Sequence, residues 1–252
     1  MSSFNFRPDD VLILAGDISS HMDVIEETLT MLKSYCSNLF FVPGNNELRL
    51  RKRRSQFSNS VEKFEAVLKL CDELDVYTSP KEFNGVVIVP LFAWHTPSLD
   101  KTWKGDTSFR RRWLDFRRVV WPEELDIDRD PDAPADYFLD LNEEHVKAYP
   151  GKDVITFSHF LPRRDLIPAT FWLPNKTLPL VVGTPGLETQ IRTINPKVHI
   201  FGHSHFDKDV TIKGIRYIQH ALGHPRERWT IKKMIYGEYK PQLVYKKKIN
   251  RN

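Results

Sequence analysis

The sequence has few cysteines and no long apolar run. Its 252 residues include only Cys36 and Cys71, which are too few for a disulfide framework. We therefore expect a reducing, cytoplasmic environment. The longest apolar run, at 86–94, is far shorter than the roughly 20 residues that a membrane span requires. The first ten residues show no apolar segment typical of a signal peptide, and we expect no membrane partner.

Composition and charge indicate a globular chain with a small basic excess. Hydrophobic residues make up 40% and charged residues 28% of the sequence, which excludes disordered and collagen-like chains. We predict a single domain over 1–252, with an insertion at about 100–135 and a basic tail at about 240–252. The net charge of +4 permits an anionic substrate without requiring a nucleic acid.

Hydrophobic periodicity predicts an α/β sheet covered by helices. Short apolar runs predict buried strands over 11–15, 39–42, 86–91, 154–157 and 198–201. Helical spacing predicts helices over 22–36, 61–74, 137–149 and 186–194, the last with Thr184 as N-cap and Pro185 at its first position. The stretch 209–219 is typical of a hairpin that turns at Lys213 and Gly214.

Polar residues follow the ends of the predicted strands. These residues lie in GD (16–17), GNNE (44–47), WH (94–95), SH (158–159) and GHSH (202–205). Because ligands of open α/β sheets bind at the carboxyl ends of the strands, we expect these side chains to converge there. Asp, Asn and His all offer lone pairs to a cation, and this mixture suits Mn, Fe or Zn.

In this order, the blocks resemble the signature blocks of the calcineurin-like metallophosphoesterases. The resemblance rests on GD, GNNE, SHFLP (158–162) and GHSH, and it covers about residues 9–230. Three further segments resemble a branch of that family found in plants and microbes: WPEEL (121–125), SHFLPRRDL (158–166) and HPRER (224–228). The resemblance implies a four-layer α/β/β/α sandwich. It also implies hydrolysis of a phosphate mono- or diester by a metal-activated hydroxide.

The resemblance also implies the ligands of two divalent metals. Asp17 bridges both ions, while Asn45, His159 and His203 hold the second metal and His205 holds the first. The family has an Asp-x-His block on the strand before GD, and this sequence has none. We therefore expect the sandwich to lack its first strand and the first metal to keep only Asp17 and His205, so that one or two ions bind per chain.

A second departure lies at Asn46, where the family usually has the His of GNH. An amide can donate a hydrogen bond to phosphate but cannot transfer a proton at neutral pH. We predict Asp17, Asn46 and His159 as catalytic residues. We predict Asn46, His95 after the third strand and Arg163 after SHFLP as substrate contacts, since Arg pairs with phosphate bidentately.

Two other functions remain open. The altered GNN block and the absent Asp-x-His block also suit a catalytically silent protein of the same fold that binds metal or phosphate. Arginines interleaved with aromatic residues at 110–118, and the basic stretch 49–54, raise a nucleic-acid partner as the less favoured alternative. The preferred partner is a phosphorylated small molecule or a nucleotide.

Overall fold

The computed structural model describes residues 6–50, 55–223 and 241–247. Three sequence features therefore lie wholly or partly outside the described residues: the basic stretch at 51–54, HPRER at 224–228 and the end of the basic tail at 248–252. In the described part of the chain, no helix combines the length and the apolar character needed to cross a membrane.

Two sheets form the centre of the fold. Strands β1 (Val11–Leu14) and β2 (Asn38–Phe41) pair in parallel. The other strands form one sheet in the order β3-β4-β5-β6-β8-β7: β3 (Lys81–Phe83), β4 (Val86–Pro90), β5 (Asp153–Phe157), β6 (Val198–Ile200), β7 (Lys208–Ile212) and β8 (Ile215–Gln219). The five predicted strands and the hairpin are confirmed. Strand β3 was not predicted, because it has Lys and Glu at its first two positions and no apolar run.

Three of the four predicted helices are confirmed. The described helices are α1 (Met22–Tyr35), α2 (Asn45–Leu48), α3 (Ser60–Glu73), α4 (Asp115–Arg118), α5 (Ala133–Asp140) and α6 (Pro185–Ile194). The Thr184 side chain accepts a hydrogen bond from the Gly186 N–H, as its predicted N-cap role requires.

The helix predicted over 137–149 is wrong, because α5 already ends at Asp140. The buried Asn142 side chain bonds both the N–H and the carbonyl of Phe92, each at 2.8 Å. It also donates to Gln190 Oε1 at 2.9 Å. These bonds hold the residues after α5 against the segment after β4. They also satisfy the buried Asn142 amide, whose position would change if the helix continued through residue 142.

The two faces of β2 contact different layers. Leu39 and Phe41 pack into one apolar cluster with Ile25 of α1 and Val67 of α3. Phe40, on the opposite face, makes an edge-to-face contact with Phe157 of β5 at a centroid distance of 6.1 Å. The small sheet therefore lies between a helical layer and the large sheet.

A second helical layer covers the far side of the large sheet. Thr156, His199 and Tyr217 are register partners on neighbouring strands, and they alternate with Phe157, which faces β2. Tyr217 donates from its hydroxyl to Glu188 of α6 at 2.7 Å. This helix thus completes the α/β/β/α order, and the predicted sandwich is confirmed.

The predicted insertion at 100–135 consists mainly of short turns and the single-turn α4. It is fastened to the rest of the fold by backbone bonds of 2.7 Å from the Leu50 N–H to the Arg118 carbonyl and from the Ser60 N–H to the Val120 carbonyl. These bonds hold the segment against α2 and α3, beside the ends of β1 and β2. The predicted domain limits stay a prediction.

Candidate metal centre

Four predicted ligands meet at the carboxyl ends of β1, β2, β5 and β6. Asn45 Oδ1 lies 3.1 Å from His159 Nε2 and 2.9 Å from His203 Nδ1, and these two ring nitrogens are 3.1 Å apart. Asp17 Oδ1 lies 3.5 Å from His159 Nε2. The ligand atoms of Asp17, His159 and His203 all lie within 4.8 Å of one another. Residues spread over more than 180 positions therefore form one cluster.

Backbone carbonyls fix the tautomers of both histidines. His159 Nδ1 lies 2.7 Å from the Ala15 carbonyl, and His203 Nε2 lies 2.9 Å from the Val181 carbonyl. Because a carbonyl only accepts, each of these nitrogens carries the proton and donates it. The other nitrogen of each ring is therefore unprotonated, and its lone pair points into the cluster. Burial and neighbouring histidines lower the pKa of His203, which keeps this imidazole neutral.

This set of atoms fits a divalent cation. One carboxylate oxygen, one amide oxygen and two imidazole lone pairs converge, and lone pairs this close repel one another unless a positive charge lies between them. Oxygen and imidazole donors in this ratio suit Mn, Fe or Zn. The arrangement of ligand atoms supports a cation at this position.

Two glycines allow the strand ends to approach each other. Gly16 has φ +80°, and a Cβ atom there would lie 2.6 Å from His159 Nδ1. A Cβ atom at Gly44 would lie 2.5 Å from Asp17 Oδ1 and 2.7 Å from His159 Nδ1. Any larger residue at either position would displace a candidate ligand, so these glycines keep the cluster compact.

Three predicted ligands have left-handed backbone conformations. The φ angles are 65° at Asp17, 66° at His203 and 59° at His205. A conformation of this kind costs on the order of 1–3 kcal/mol for a residue other than glycine, and it concentrates at functional sites. In the described part of the chain, three of the seven residues other than glycine with a positive φ are therefore predicted ligands.

Glu47 holds the loops that carry the ligands. Its carboxylate is fully buried and accepts four backbone N–H bonds, from Asp17 at 3.0 Å, Ile18 at 2.7 Å, Ser19 at 3.1 Å and Gly44 at 2.6 Å. Burial and the Asp17 carboxylate raise the pKa of Glu47, and the N–H donors oppose that shift. One side chain thus connects the turn after β1 to the turn after β2.

His205 is a predicted ligand outside the compact cluster of Asp17, His159 and His203. Its side chain is exposed, and it is not a member of the cluster of described residues whose ligand atoms lie within 4.8 Å of one another. Its role as ligand of the first metal stays a prediction.

Arg163 is engaged by carboxylates. It binds Asp165 through Nε at 2.9 Å and Nη2 at 2.6 Å, and it donates from Nη1 to Glu188 at 2.9 Å. A phosphate would have to compete with two carboxylates for this guanidinium. Substrate binding by Arg163 therefore stays a prediction. Arg49, described below, is the arginine that contacts the site residue Asn46.

His95 is only 3% exposed and stacks on Trp94 at 4.9 Å. It borders a cavity of about 20 Å³ together with Arg110 and Asp115. Both ring nitrogens of His95 and the Nε of Arg110 lack a hydrogen-bond partner within the described ranges. Burial lowers the pKa of His95 to about 4. A cavity of this size accommodates about one water molecule, and substrate contact by His95 stays a prediction.

Sequence reasoning missed Asp115 and Arg49. Asp115 is 4% exposed and accepts from Asn45 Nδ2 at 3.1 Å and from Arg49 Nε at 2.7 Å. Arg49 also donates from Nη1 to Asn46 Oδ1. The only signal for Arg49 was its place two residues after GNNE. Asp115 lies in an irregular segment whose aromatic residues are turned toward protein, with Trp113 bonded to Thr177 and Phe116 lining the cavity.

Comparison with known proteins identifies the family. The model of the calcineurin-like phosphoesterases, Metallophos, matches residues 4–207. The chain belongs to the calcineurin-like phosphoesterase family. This confirms the resemblance carried by the GD, GNNE, SHFLP and GHSH blocks, and phosphoester hydrolysis is the general activity of the family. Divalent metals are the cofactors of metallophosphoesterases.

One similar protein has a curated name. The chain is 24% identical over 241 residues to the "[Acyl-carrier-protein] phosphodiesterase PptH" of Mycobacterium tuberculosis (strain ATCC 25618 / H37Rv), which covers 90% of this chain and 72% of that protein. The crystal structure of the phosphopantetheinyl hydrolase PptH from Mycobacterium tuberculosis aligns with a TM-score of 0.69 at 23% identity, covering 89% of this chain and 83% of that one. At this identity the structural match supports the fold alone.

Proposed function

We propose that this calcineurin-like phosphoesterase hydrolyses a phosphate ester at the cluster of Asp17, Asn45, His159 and His203, and that the reaction depends on a divalent metal. The observation that carries the proposal is that ligand lone pairs converge on one point, and that backbone carbonyls outside the cluster hold the two imidazoles that supply them. The carbonyls of Ala15 and Val181 hold the two imidazoles with their protons turned away from the cluster. Such a centre suits a cation and leaves no proton between the ligands.

Each residue of the centre has a distinct role in this proposal. Asp17 supplies the negative charge, while Asn45, His159 and His203 supply neutral ligand atoms. Bound Mn, Fe or Zn would lower the pKa of a water and polarise the phosphoryl oxygens. Asn46, half-buried beside the Asp17 carboxylate, would donate a hydrogen bond to the phosphate. We also propose that His205 is a ligand of a first metal. We further propose that the protein is located in the cytoplasm.

A phosphodiester is the substrate class that we favour. The name of the Mycobacterium tuberculosis relative describes a phosphodiesterase that acts on an acyl-carrier protein. Asn46 cannot protonate a leaving group, so substrates whose leaving group is stable as an anion suit the site best. The name of the relative makes a phosphopantetheine-type diester the first natural candidate. Because Asn46 gives its aliphatic leaving group no proton, we expect the native chain to hydrolyse it more slowly than an aryl diester. A nucleotide is the alternative substrate, and it would be hydrolysed by the same phosphoester chemistry.

Metal removal tests the proposal. We expect a strong chelator followed by desalting to abolish hydrolysis of bis(p-nitrophenyl) phosphate, and Mn²⁺, Fe²⁺ or Zn²⁺ to restore it. We also expect the added metal to raise the thermal midpoint, because a ligand that binds only the folded state stabilises it. The matched control is add-back of the same metal saturated with chelator. Undiminished hydrolysis by chelated protein, or no binding of any of the three metals, would contradict the proposal.

Asn46→His separates a weak enzyme from a catalytically silent protein. An imidazole at this position can donate a proton to the leaving group, which is typically worth about 10²–10⁴ in rate. We expect at least a tenfold gain in kcat for a phosphodiester of an aliphatic alcohol and a smaller gain for the p-nitrophenyl ester. Asn46→Ala is the control and should lower both rates. If neither variant nor the native chain hydrolyses any ester while Mn²⁺ still binds, the silent alternative is correct.

A further inference from the structure

One partly buried ion pair, Arg49 with Asp115, contacts both asparagines of the GNNE block. Asp115 accepts from Asn45 Nδ2 at 3.1 Å to one oxygen and 3.2 Å to the other, and it pairs with Arg49 Nε at 2.7 Å. Arg49 in turn donates from Nη1 to Asn46 Oδ1. A carboxylate that only accepts therefore holds one amide, and a guanidinium that only donates holds the next.

The Asp115 carboxylate decides which way the Asn45 amide faces. An ionised carboxylate attracts the NH₂ end of the amide and repels its oxygen. With Nδ2 held by Asp115, Asn45 Oδ1 lies 2.9 Å from His203 Nδ1 and 3.1 Å from His159 Nε2, inside the candidate metal centre. The reversed amide would direct its NH₂ group at the cation. The partial positive charge of the N–H groups would repel the cation, which needs a lone pair as ligand.

The Arg49 guanidinium fixes the opposite orientation at Asn46. Arg49 binds the amide oxygen, so the Nδ2 donor group is directed away from it. In the described part of the chain, this Nδ2 group donates no hydrogen bond to another protein group. The backbone N–H of Asn46 donates to Asp17 Oδ1 at 2.9 Å, which keeps this residue at the edge of the metal centre. The side chain thus offers an N–H₂ group where a phosphate oxygen would lie.

We propose that Asp115 and Arg49 are positioning residues that set two neighbouring amides in opposite directions, Asn45 Oδ1 toward the metal and Asn46 Nδ2 toward the substrate phosphate. The inference rests on the proposed function of the centre. It also gives the segment at 100–135 a role, since this segment supplies Asp115 from 70 residues beyond Asn45.

The first arm of the test is Mn²⁺ binding by the metal-free full chain, measured by titration calorimetry and by the free Mn²⁺ signal in electron paramagnetic resonance. We expect Asp115→Asn to weaken Mn²⁺ binding about 10–100-fold, the usual effect of losing a group that orients a ligand. The matched control is Asp100→Asn, a second buried carboxylate in the same segment that bonds Thr102. This control should bind Mn²⁺ like the native chain.

The second arm is a rescue. In the double substitution Asp115→Asn with Asn45→Asp, the carboxylate moves to position 45, where either of its oxygens can face the metal. We expect this variant to recover Mn²⁺ affinity to within about threefold of native, with Asn45→Asp alone as the reference for the charge that the new carboxylate adds. It also tests the proposal if Asp115→Asn alone fails to fold.

Arg49→Lys tests the other half of the proposal. An ammonium can keep the charge pairing with Asp115, but it lacks the planar fork that bonds Asp115 and Asn46 together. We expect Mn²⁺ affinity within threefold of native and a KM for bis(p-nitrophenyl) phosphate raised at least fivefold. Native-like Mn²⁺ affinity in Asp115→Asn would overturn the positioning role while leaving the proposed function intact. A native chain that binds none of Mn²⁺, Fe²⁺ and Zn²⁺ would overturn both.

Discussion

Asp17→Asn is expected to lower kcat/KM for bis(p-nitrophenyl) phosphate by about three orders of magnitude. Asp17 supplies the only carboxylate in the cluster with His159 and His203, so the substitution removes the negative charge that balances the cation. A thousandfold fall in kcat/KM corresponds to a loss of about 4 kcal/mol in the metal-dependent stabilisation of the transition state. The amide still has an oxygen that accepts from the Asn46 N–H, so the local backbone geometry can persist.

The measurement combines steady-state kinetics with Mn²⁺ titration of the same preparation. The matched control is Asp72→Asn, which removes an exposed carboxylate near the end of α3 and should leave both quantities unchanged. The thermal midpoint of metal-free Asp17→Asn should stay near that of the metal-free native chain, because the site contributes cation binding more than packing. If Asp17→Asn retains native turnover and native Mn²⁺ affinity, the centre lies elsewhere.

The convergence of ligands at the strand ends could be predicted because it follows from local patterns. Asp17, Asn45, His159 and His203 each come within a few residues of the end of an apolar strand, and parallel strands bring their carboxyl ends to one edge. The same logic predicted five strands. It could not locate the end of α5, since only the tertiary bonds of Asn142 to Phe92 show where that helix stops.

The supporting contacts could not be predicted for a different reason. Asp115 belongs to a segment without helical or strand periodicity, so nothing in the sequence relates it to Asn45, 70 residues away. The sequence neighbours of Arg163 predict a phosphate contact, yet Glu188 on α6 approaches its guanidinium only in the folded chain. Contacts between an irregular segment and a distant element depend on tertiary packing, and a single sequence does not contain that information locally.

Glu47→Gln is expected to destabilise the fold by at least about 3 kcal/mol. The carboxylate accepts four backbone N–H bonds while fully buried, and a hydrogen bond to a charged group contributes about 1.5–3 kcal/mol. The amide keeps the volume of Glu47, but it replaces one acceptor oxygen with an NH₂ group that faces N–H donors. At this chain length the loss corresponds to a fall in the thermal midpoint of roughly 6–12 °C.

Chemical denaturation of metal-free protein measures this effect independently of cation binding. Glu27→Gln, an exposed position on α1, is the matched control and should stay within about 0.5 kcal/mol of native. Because Glu47 joins the turn that carries Asp17 to the turn that carries Asn45, Mn²⁺ affinity should fall along with stability in Glu47→Gln. A variant as stable as the control would mean that the four N–H groups find other partners, and that Glu47 does not hold the two turns together.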